Sequence, residues 1–347
     1  MNGAHRILLL GGYGVFGRHL ASELLRTTDA KLVLAGRDRR RAESACEALG
    51  APDRIEVVAL DASDLAAVEH AALGCIAVAC TAGPFQGLPI GLPSAAVRAG
   101  AHWFDVGDDP GWVLSILDDA ELNDFATEQG VSVIPGLSSV PAVSGVLARA
   151  CRERSPGVDR GRITLFIGNR NNKGAGATAS ALIAGFTDPQ WVDLPFGRKR
   201  AYGFATPDRV LLQRELGIDA EFRVALEWAY LGWLAARFGR TTKRLGAARQ
   251  ARIARWLSRL SVPFARFGTE LGCIQVELWS SGVATANCSA AAIAGQSIVV
   301  LPCALAVQQA LDGSVRAGVS HPATWLSLED YLDRLVARGV RFSYDPR

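Results

Sequence analysis

The first half of the chain repeats one pattern: a short apolar run, a punctuating Gly, Pro or Asp, then an amphipathic segment. The apolar runs are Arg6–Leu10, Lys31–Ala35, Ile55–Leu60, Cys75–Cys80, His102–Val106 and Val131–Ile134. Each is four to six residues of mostly continuous rather than alternating hydrophobicity, which suits strands covered on both faces. Helical periodicity lies between them, over Arg18–Arg26, Arg39–Leu49, Asp64–Ala72 (with Ser63 or Asp64 as cap), Ser94–Ala99 and Ser115–Gln129. Six strands alternating with helices predict an α/β fold, a doubly wound parallel sheet.

After Pro135-Gly136 the rhythm changes. A helix is expected over Pro141–Arg152 and a strand over Arg162–Ile167. Cys273–Leu278 and Val283–Asn287, joined at Ser280–Gly282, read as an antiparallel hairpin. Helices over Ser297–Leu311 and Leu326–Arg338 and a closing strand over Val340–Tyr344 complete the set. The expectation is a nucleotide-binding domain over 1–140 and an α+β domain built on an antiparallel sheet over 141–347. The C-terminal helix is free to pack back on the first domain.

With 347 residues, 49% of them hydrophobic and 20% charged, the chain has ample material for packed cores, which excludes a disordered or disulfide-stapled mini-protein. Seven cysteines without C-x-x-C spacing argue against a zinc ribbon, and reduced thiols are expected. The first apolar run enters a glycine loop without a signal-cleavage site, so a cytoplasmic protein is expected. The uncharged stretches at 75–97 and 279–311 are broken by prolines, glycines and polar residues, so spanning helices are not expected. Residues 1–150 carry 11 Lys/Arg against 18 Asp/Glu, and residues 151–347 carry 26 against 16, so the halves suit different partners.

Gly11-Gly-Tyr-Gly14-Val-Phe-Gly17 directly follows the first run and opens the first helix. In such a motif one glycine permits a tight turn, one lets backbone approach a pyrophosphate, and one lets helix and strand pack closely. The helix-start N–H groups of Val15 and Phe16 then face the anion. The second run ends in Gly36-Arg37 where an NAD site wants an acid, and a guanidinium there suits a ribose 2′-phosphate, so NADP(H) is expected. Arg39–Arg41 read as a solvated helix start for at least two of the three. Asp61-Ala62 ends the third run, where adenine is expected. Ala82, Gly83, Pro84 and Phe85 follow the fourth, at the edge where nicotinamide is expected.

Short-chain dehydrogenases share such a glycine loop but need a Tyr-x-x-x-Lys pair, and none of the five tyrosines has one. The chain instead resembles the saccharopine dehydrogenase-like NADP-binding oxidoreductases. The resemblance rests on Leu10–Gly17, Leu34-Ala-Gly-Arg37, Ala82-Gly-Pro-Phe85, Ala99–Asp105, Ile134-Pro-Gly136 and Ser139-Val-Pro141. It is specific over residues 5–150 and loose beyond. Gly174–Thr178 looks like that family's glycine-rich turn, with Ala175 and Ala177 where more Gly or Ser is expected. The resemblance implies a Rossmann domain, an α+β domain whose sheet builds a homodimer, and NADP-dependent hydride transfer. Some relatives reduce imines formed from amino acids, and lipid-pathway members are similar to trans-acting enoyl reductases.

Candidate proton donors are fewer. Asp105 and Asp108 lie past the fifth run, and Asp108 is the candidate to carry a proton or bind a substrate amine. Lys173, in Asn169–Lys173, is the second candidate, with the amides and cations around it either holding a substrate carboxylate or forming a solvated loop. Arg198–Arg200 offer an anion contact or a solvated surface, and His102 reads as structural. Residues 229–268 hold nine Lys/Arg and no acid, with Trp233 and Trp256 among them and Trp228 just before. Such a stretch either packs on its own domain or meets an anionic membrane or an acidic carrier protein. No reader motif accompanies it, so nucleic acid is not expected. Three functional readings stand: reduction of C=N in an amino-acid-derived substrate, trans-acting reduction of C=C in a carrier- or lipid-linked one, and a non-catalytic NADPH sensor.

Overall fold

The computed structural model describes residues 5–171, 186–228, 253, 267–280, 283–292 and 295–346. Lys173, the Gly174–Thr178 turn and most of the basic stretch 228–269 lie outside the described residues. The chain divides into two units, Met1–Ser138 with Val299–Trp325, and Ser139–Ile298 with Leu326–Arg347.

In the first unit the strands are β1 Arg6–Leu10, β2 Lys31–Gly36, β3 Ile55–Ala59, β4 Ala77–Cys80, β5 His102–Asp105, β6 Ser132–Ile134 and β13 Gly318–Val319. They form one sheet in the order β13-β6-β5-β4-β1-β2-β3, with every pairing parallel. The chain order reverses between β1 and β4, which opens a crevice at the carboxyl edge of the sheet. The apolar runs of β1, β2 and β4 are buried residue after residue, as strands with both faces covered must be.

The helices are α1 Val15–Thr27, α2 Arg39–Leu49, α3 Leu65–Ala72, α4 Leu92–Arg98, α5 Pro110–Leu117, α6 Ala120–Glu128 and, later in the chain, α9 Gln296–Leu311. Asp38 and Asp64 cap α2 and α3 by accepting from the N–H groups of Arg41 and Ala67. Arg54 donates to the carbonyls of Leu25, Thr28 and Ala30, satisfying acceptors where α1 ends and tying that end to the start of β3.

The single helix expected over Ser115–Gln129 is two helices. Asp109 caps α5, which begins at Pro110, and Asp119 caps α6 by accepting from the Leu122 N–H at 2.9 Å. Two aspartates that cap so well outcompete continuous periodicity.

The second unit begins with a tight helical turn at Ser139–Val143 and α7 Ser144–Arg154. Its strands are β7 Arg160–Ile167, β8 Thr187–Leu194, β9 Gly197–Gly203, β10 Asp219–Leu226, β11 Gly272–Ser280, β12 Val283–Ala292 and β14 Arg341–Pro346. The helices α8 Asp208–Leu216 and α10 Leu328–Val336 complete it. The sheet order is β14-β12-β11-β7-β10-β9-β8. Helix α7 packs on β11 and β12, and α8 on β10 and α7. Phe166, Val192, Leu194, Ala201, Ala225 and Cys273 form a buried cluster from five adjacent strands.

Three expectations change. The sheet is mixed, because β10 runs parallel to β7. The units do not meet at one break near 140, because residues 299–325 return to the first unit and β13 extends its sheet, while the final helix α10 stays with the second. Cys151 is disulfide-bonded, whereas Cys46, Cys75, Cys80, Cys273 and Cys303 are free. Sequence spacing reveals only local cysteine pairs, and tertiary packing brings distant ones together. Among the described residues no helix is long and apolar enough to cross a membrane. The run 279–311 is the hairpin and helix expected of it.

Within the second unit the Asp208 carboxyl is buried and accepts from the Ser144 hydroxyl at the start of α7. Burial pushes it up to about 6, with the Ser144 hydrogen bond pulling the other way. The folded state therefore favours the neutral acid. That contribution to stability is complete below the unfolded carboxyl's value and is lost as pH rises through about 6. Asp208→Asn should remove the loss. Against wild type it should gain on the order of 2–3 kcal/mol between pH 4 and pH 7.5. Urea unfolding at both pH values checks this, and parallel pH profiles for the two proteins would refute it.

Candidate functional site

The first unit's crevice is built around the loop between β1 and α1. Gly11 has φ 75°, a left-handed conformation that glycine adopts freely. A Cβ on Gly11 would meet the Ala82 backbone nitrogen at 2.7 Å, and a Cβ on Gly17 would lie 2.3 Å from the Gly11 carbonyl oxygen. Loop, helix and the segment after β4 are therefore in backbone contact, which side chains would prevent. The Gly14 N–H closes the turn onto the Gly11 carbonyl at 2.8 Å. Gly14 also precedes α1 without capping it through a side chain, and no acidic residue lies in the helix's first turn. The N–H groups of Val15 and Phe16 thus begin a helix whose positive end carries no built-in anion. This cradle fits a dinucleotide's pyrophosphate.

The second strand's end is organised by Tyr13, a residue whose role the glycine motif alone does not disclose. Its ring fills the space beside Gly36, where a Cβ would come within 2.2 Å of it. Its hydroxyl accepts from the Asp38 N–H at 3.1 Å, and the Arg41 guanidinium lies 5.2 Å from the ring centroid. Arg39 pairs with Glu43 at 2.9 Å. Arg37 is exposed beside Asp61. The backbone amide and hydroxyl of Ser63 hold the Asp61 carboxyl below the usual range, and the Arg37 charge adds to that. Ala62 follows Asp61 at this rim.

Thr81 donates both its N–H and its hydroxyl to the Leu10 carbonyl, which ties the segment after β4 to β1. Gly83-Pro84 is a cis peptide, and Phe85 packs against Trp112 with centroids 5.4 Å apart. Behind them lies Asp105, the last residue of β5 and fully buried. Its carboxylate accepts from the indole N–H groups of Trp103 (2.9 Å) and Trp112 (3.0 Å) and from the backbone N–H groups of Gly107 (2.8 Å) and Gly136 (2.9 Å). Burial pushes this carboxyl up while those donors pull it back. Asp105 is thus an anchor enclosed by the protein, and Asp108, half-buried three residues on, is the carboxylate nearer solvent.

Other candidates resolve into structural roles. The His102 Nδ1 accepts from the Ser132 N–H at 2.8 Å. Burial pushes the thiols of Cys80 and Cys303 up, so neither is an activated nucleophile. The Asn171 amide donates to the carbonyls of Gly168 and Leu271, and the Asn169 backbone N–H to Glu227 at 2.6 Å. Arg170 pairs with Glu270 at 3.4 Å. Arg198 lies over Trp191 and Lys199 over Phe166 in the β8–β9 hairpin. Lys173 lies outside the described residues. Among the described residues no cluster of His, Cys, Asp or Glu could hold a metal.

Replacing Asp105 with alanine would leave two indole and two amide donors buried without this acceptor. Asp105→Ala should lose about 3 kcal/mol or more in urea unfolding and alter the near-ultraviolet signal of its tryptophans. A loss below about 0.5 kcal/mol, typical of a surface change, would contradict the anchoring role.

Comparison with known proteins agrees with this geometry. The KR domain family model matches residues 6–79, the strands and helices that carry the glycine loop. Two curated proteins from two strains of Mycobacterium tuberculosis, each named as a trans-acting enoyl reductase, are 29% identical over 157 residues. The match covers 44% of this chain and only 37% of theirs. Among solved structures, saccharopine dehydrogenase (L-Glu forming) from Saccharomyces cerevisiae aligns over 99% of this chain and 100% of its own, with a TM-score of 0.64 and 12% identity. A Rossmann-type parallel sheet and a second mixed-sheet unit, in this order, give the chain a saccharopine dehydrogenase-like fold.

Proposed function

We propose that the protein is an NADP-dependent oxidoreductase that transfers hydride to or from a C=N bond of an amino-acid-derived substrate. The observation that carries this reading is the glycine cradle at the β1–β4 switch point, where backbone alone surrounds an uncapped helix N-terminus. The matching KR domain model and the reductase names of the curated relatives support it. When bound, the nicotinamide cofactor supplies or accepts the hydride.

This chain's residues do the rest. The loop Gly11, Gly14, Val15, Phe16 and Gly17 binds pyrophosphate. Arg37 pairs with the ribose 2′-phosphate, and Asp61 and Ala62 border adenine. Ala82, Gly83, Pro84 and Phe85 line the nicotinamide end. Asp108 is proposed to hold or move the proton that accompanies reduction, and Lys173 is proposed as the second such group. Homodimer formation, and contact of residues 228–269 with an anionic membrane or an acidic carrier, belong to the same proposal.

A second reading, reduction of C=C in a carrier- or lipid-linked substrate, is favoured by the names of the curated relatives. Fluorescence titration with NADPH and NADH tests the cofactor. Arg37→Ala should weaken NADPH by about tenfold or more and leave NADH nearly unchanged, since a charge-assisted bidentate pair is lost. Equal weakening of both would remove Arg37 from the 2′-phosphate. NADPH consumption with 2-oxo acid and amine mixtures favours the imine reading, and consumption with enoyl thioesters the alternative. Binding without turnover of either leaves a sensor.

A further inference from the structure

The first unit contains a second polar concavity, apart from the glycine cradle and lined without any acidic side chain. A cavity of about 230 Å3 is walled by Arg316, Ser320, His321, Thr324 and Trp325, with an apolar side from Val315. All of these residues flank β13, the edge strand that the returning segment 299–325 adds to the sheet. Val315 and Arg316 precede β13, and Ser320, Thr324 and Trp325 follow it, so the cavity takes walls from both ends of this two-residue strand. β13 lies four strands from β1, roughly 19 Å at the usual strand spacing. The glycine cradle and this cavity are therefore separate places in the first unit.

The turn that forms the cavity is held by its own hydrogen bonds. The Ser320 N–H continues the ladder to the Val133 carbonyl at 2.9 Å. The N–H groups of Thr324 and Trp325 both donate to the His321 carbonyl, at 3.1 and 3.2 Å. The His321 Nδ1 accepts from the Ala323 N–H at 3.1 Å, so a neutral imidazole carries its proton on Nε2. The Val319 N–H is fixed by Asn123 Oδ1 at 3.1 Å. A turn held by five hydrogen bonds is preorganised, which lowers the entropic cost of binding.

The chemistry of the walls is one-sided. The Arg316 guanidinium donates only, and the hydroxyls of Ser320 and Thr324 can rotate to donate, whereas the Trp325 indole nitrogen and the His321 Nε2 are enclosed by protein. Arg316 is exposed, and no ion pair engages it among the described residues. One fixed positive charge matches one carboxylate, in the planar fork geometry that guanidinium favours. A phosphate, with a charge of about −1.5 to −2, would find only half its countercharge. The volume is about that of seven or eight waters, room for a ligand with a similar number of heavy atoms.

We propose that this cavity is a binding site for a small carboxylate, held by Arg316 with Ser320 and Thr324. The site does not depend on the reductase reading, because none of its walls belongs to the glycine cradle. Isothermal titration of the whole protein in a carboxylate-free, phosphate-free buffer tests it. The probe is butyrate, a monocarboxylate, compared with neutral butyramide and inorganic phosphate. Saturable butyrate binding that falls by about tenfold or more in Arg316→Ala and is absent for butyramide is expected. Arg316 is a surface residue, and NADPH titration of the same variant reports separately on the cradle. Lack of saturable butyrate binding, binding unchanged in Arg316→Ala, or tighter binding of phosphate than of butyrate would each overturn the assignment.

Discussion

The carboxyl edge of the parallel sheet depends on one buried carboxylate. Asp105 ends β5 and gathers four donors from four places: the strand itself, the β5–α5 connection, α5 and the chain leaving β6. Its backbone carbonyl also accepts from Leu137 at 2.7 Å. A buried charge is costly unless fully hydrogen-bonded, so each donor is held in place by the need to satisfy it. Trp112 is fixed in this way, and Phe85 packs on Trp112. The segment after β4 therefore rests on a wall that Asp105 orients.

The opposite side of the same crevice is shaped by missing side chains. Gly11 and Gly17 allow α1, β1 and the segment after β4 to approach to distances that no Cβ would tolerate. The helix end is left without a side-chain cap, which conflicts with helix stability and agrees with anion binding. A rule broken locally, where the rest of the unit obeys it, is the mark expected of a functional position. Tyr13 adds a further constraint, because it fills the space Gly36 leaves and bonds the start of the arginine-rich turn. Arg39 and Arg41 are thereby engaged by Glu43 and Tyr13, while Arg37 stands at the rim beside Asp61.

The second unit uses polar residues differently. The amides of Asn169 and Asn171 spend donors on carbonyls and a glutamate, which ties the chain after β7 to the segments around Glu227 and Leu271. Two cations of the β8–β9 hairpin, Arg198 and Lys199, lie over the aromatic rings of Trp191 and Phe166.

The sequence by itself determined the parallel sheet, its glycine loop and most of its helix starts. Those features rest on local physics: continuous apolar runs, glycine's freedom at positive φ, and aspartates that cap the next turn. It also pointed to the stretch after β5 as chemically important, though not to which aspartate is enclosed. Only the tertiary structure decided that Asp105 is an anchor and Asp108 the more accessible acid, because burial is set by Trp103 and Trp112, three-dimensional neighbours. Only tertiary structure showed the return of residues 299–325 to the first sheet, since a two-residue strand such as β13 has no periodicity to detect. The same holds for β8, a polar edge strand that buries one side and reads as a loop, and for the parallel pairing of β7 and β10. Pairing partners far apart in the chain are chosen by the packing of whole faces, and no local window of sequence contains that information.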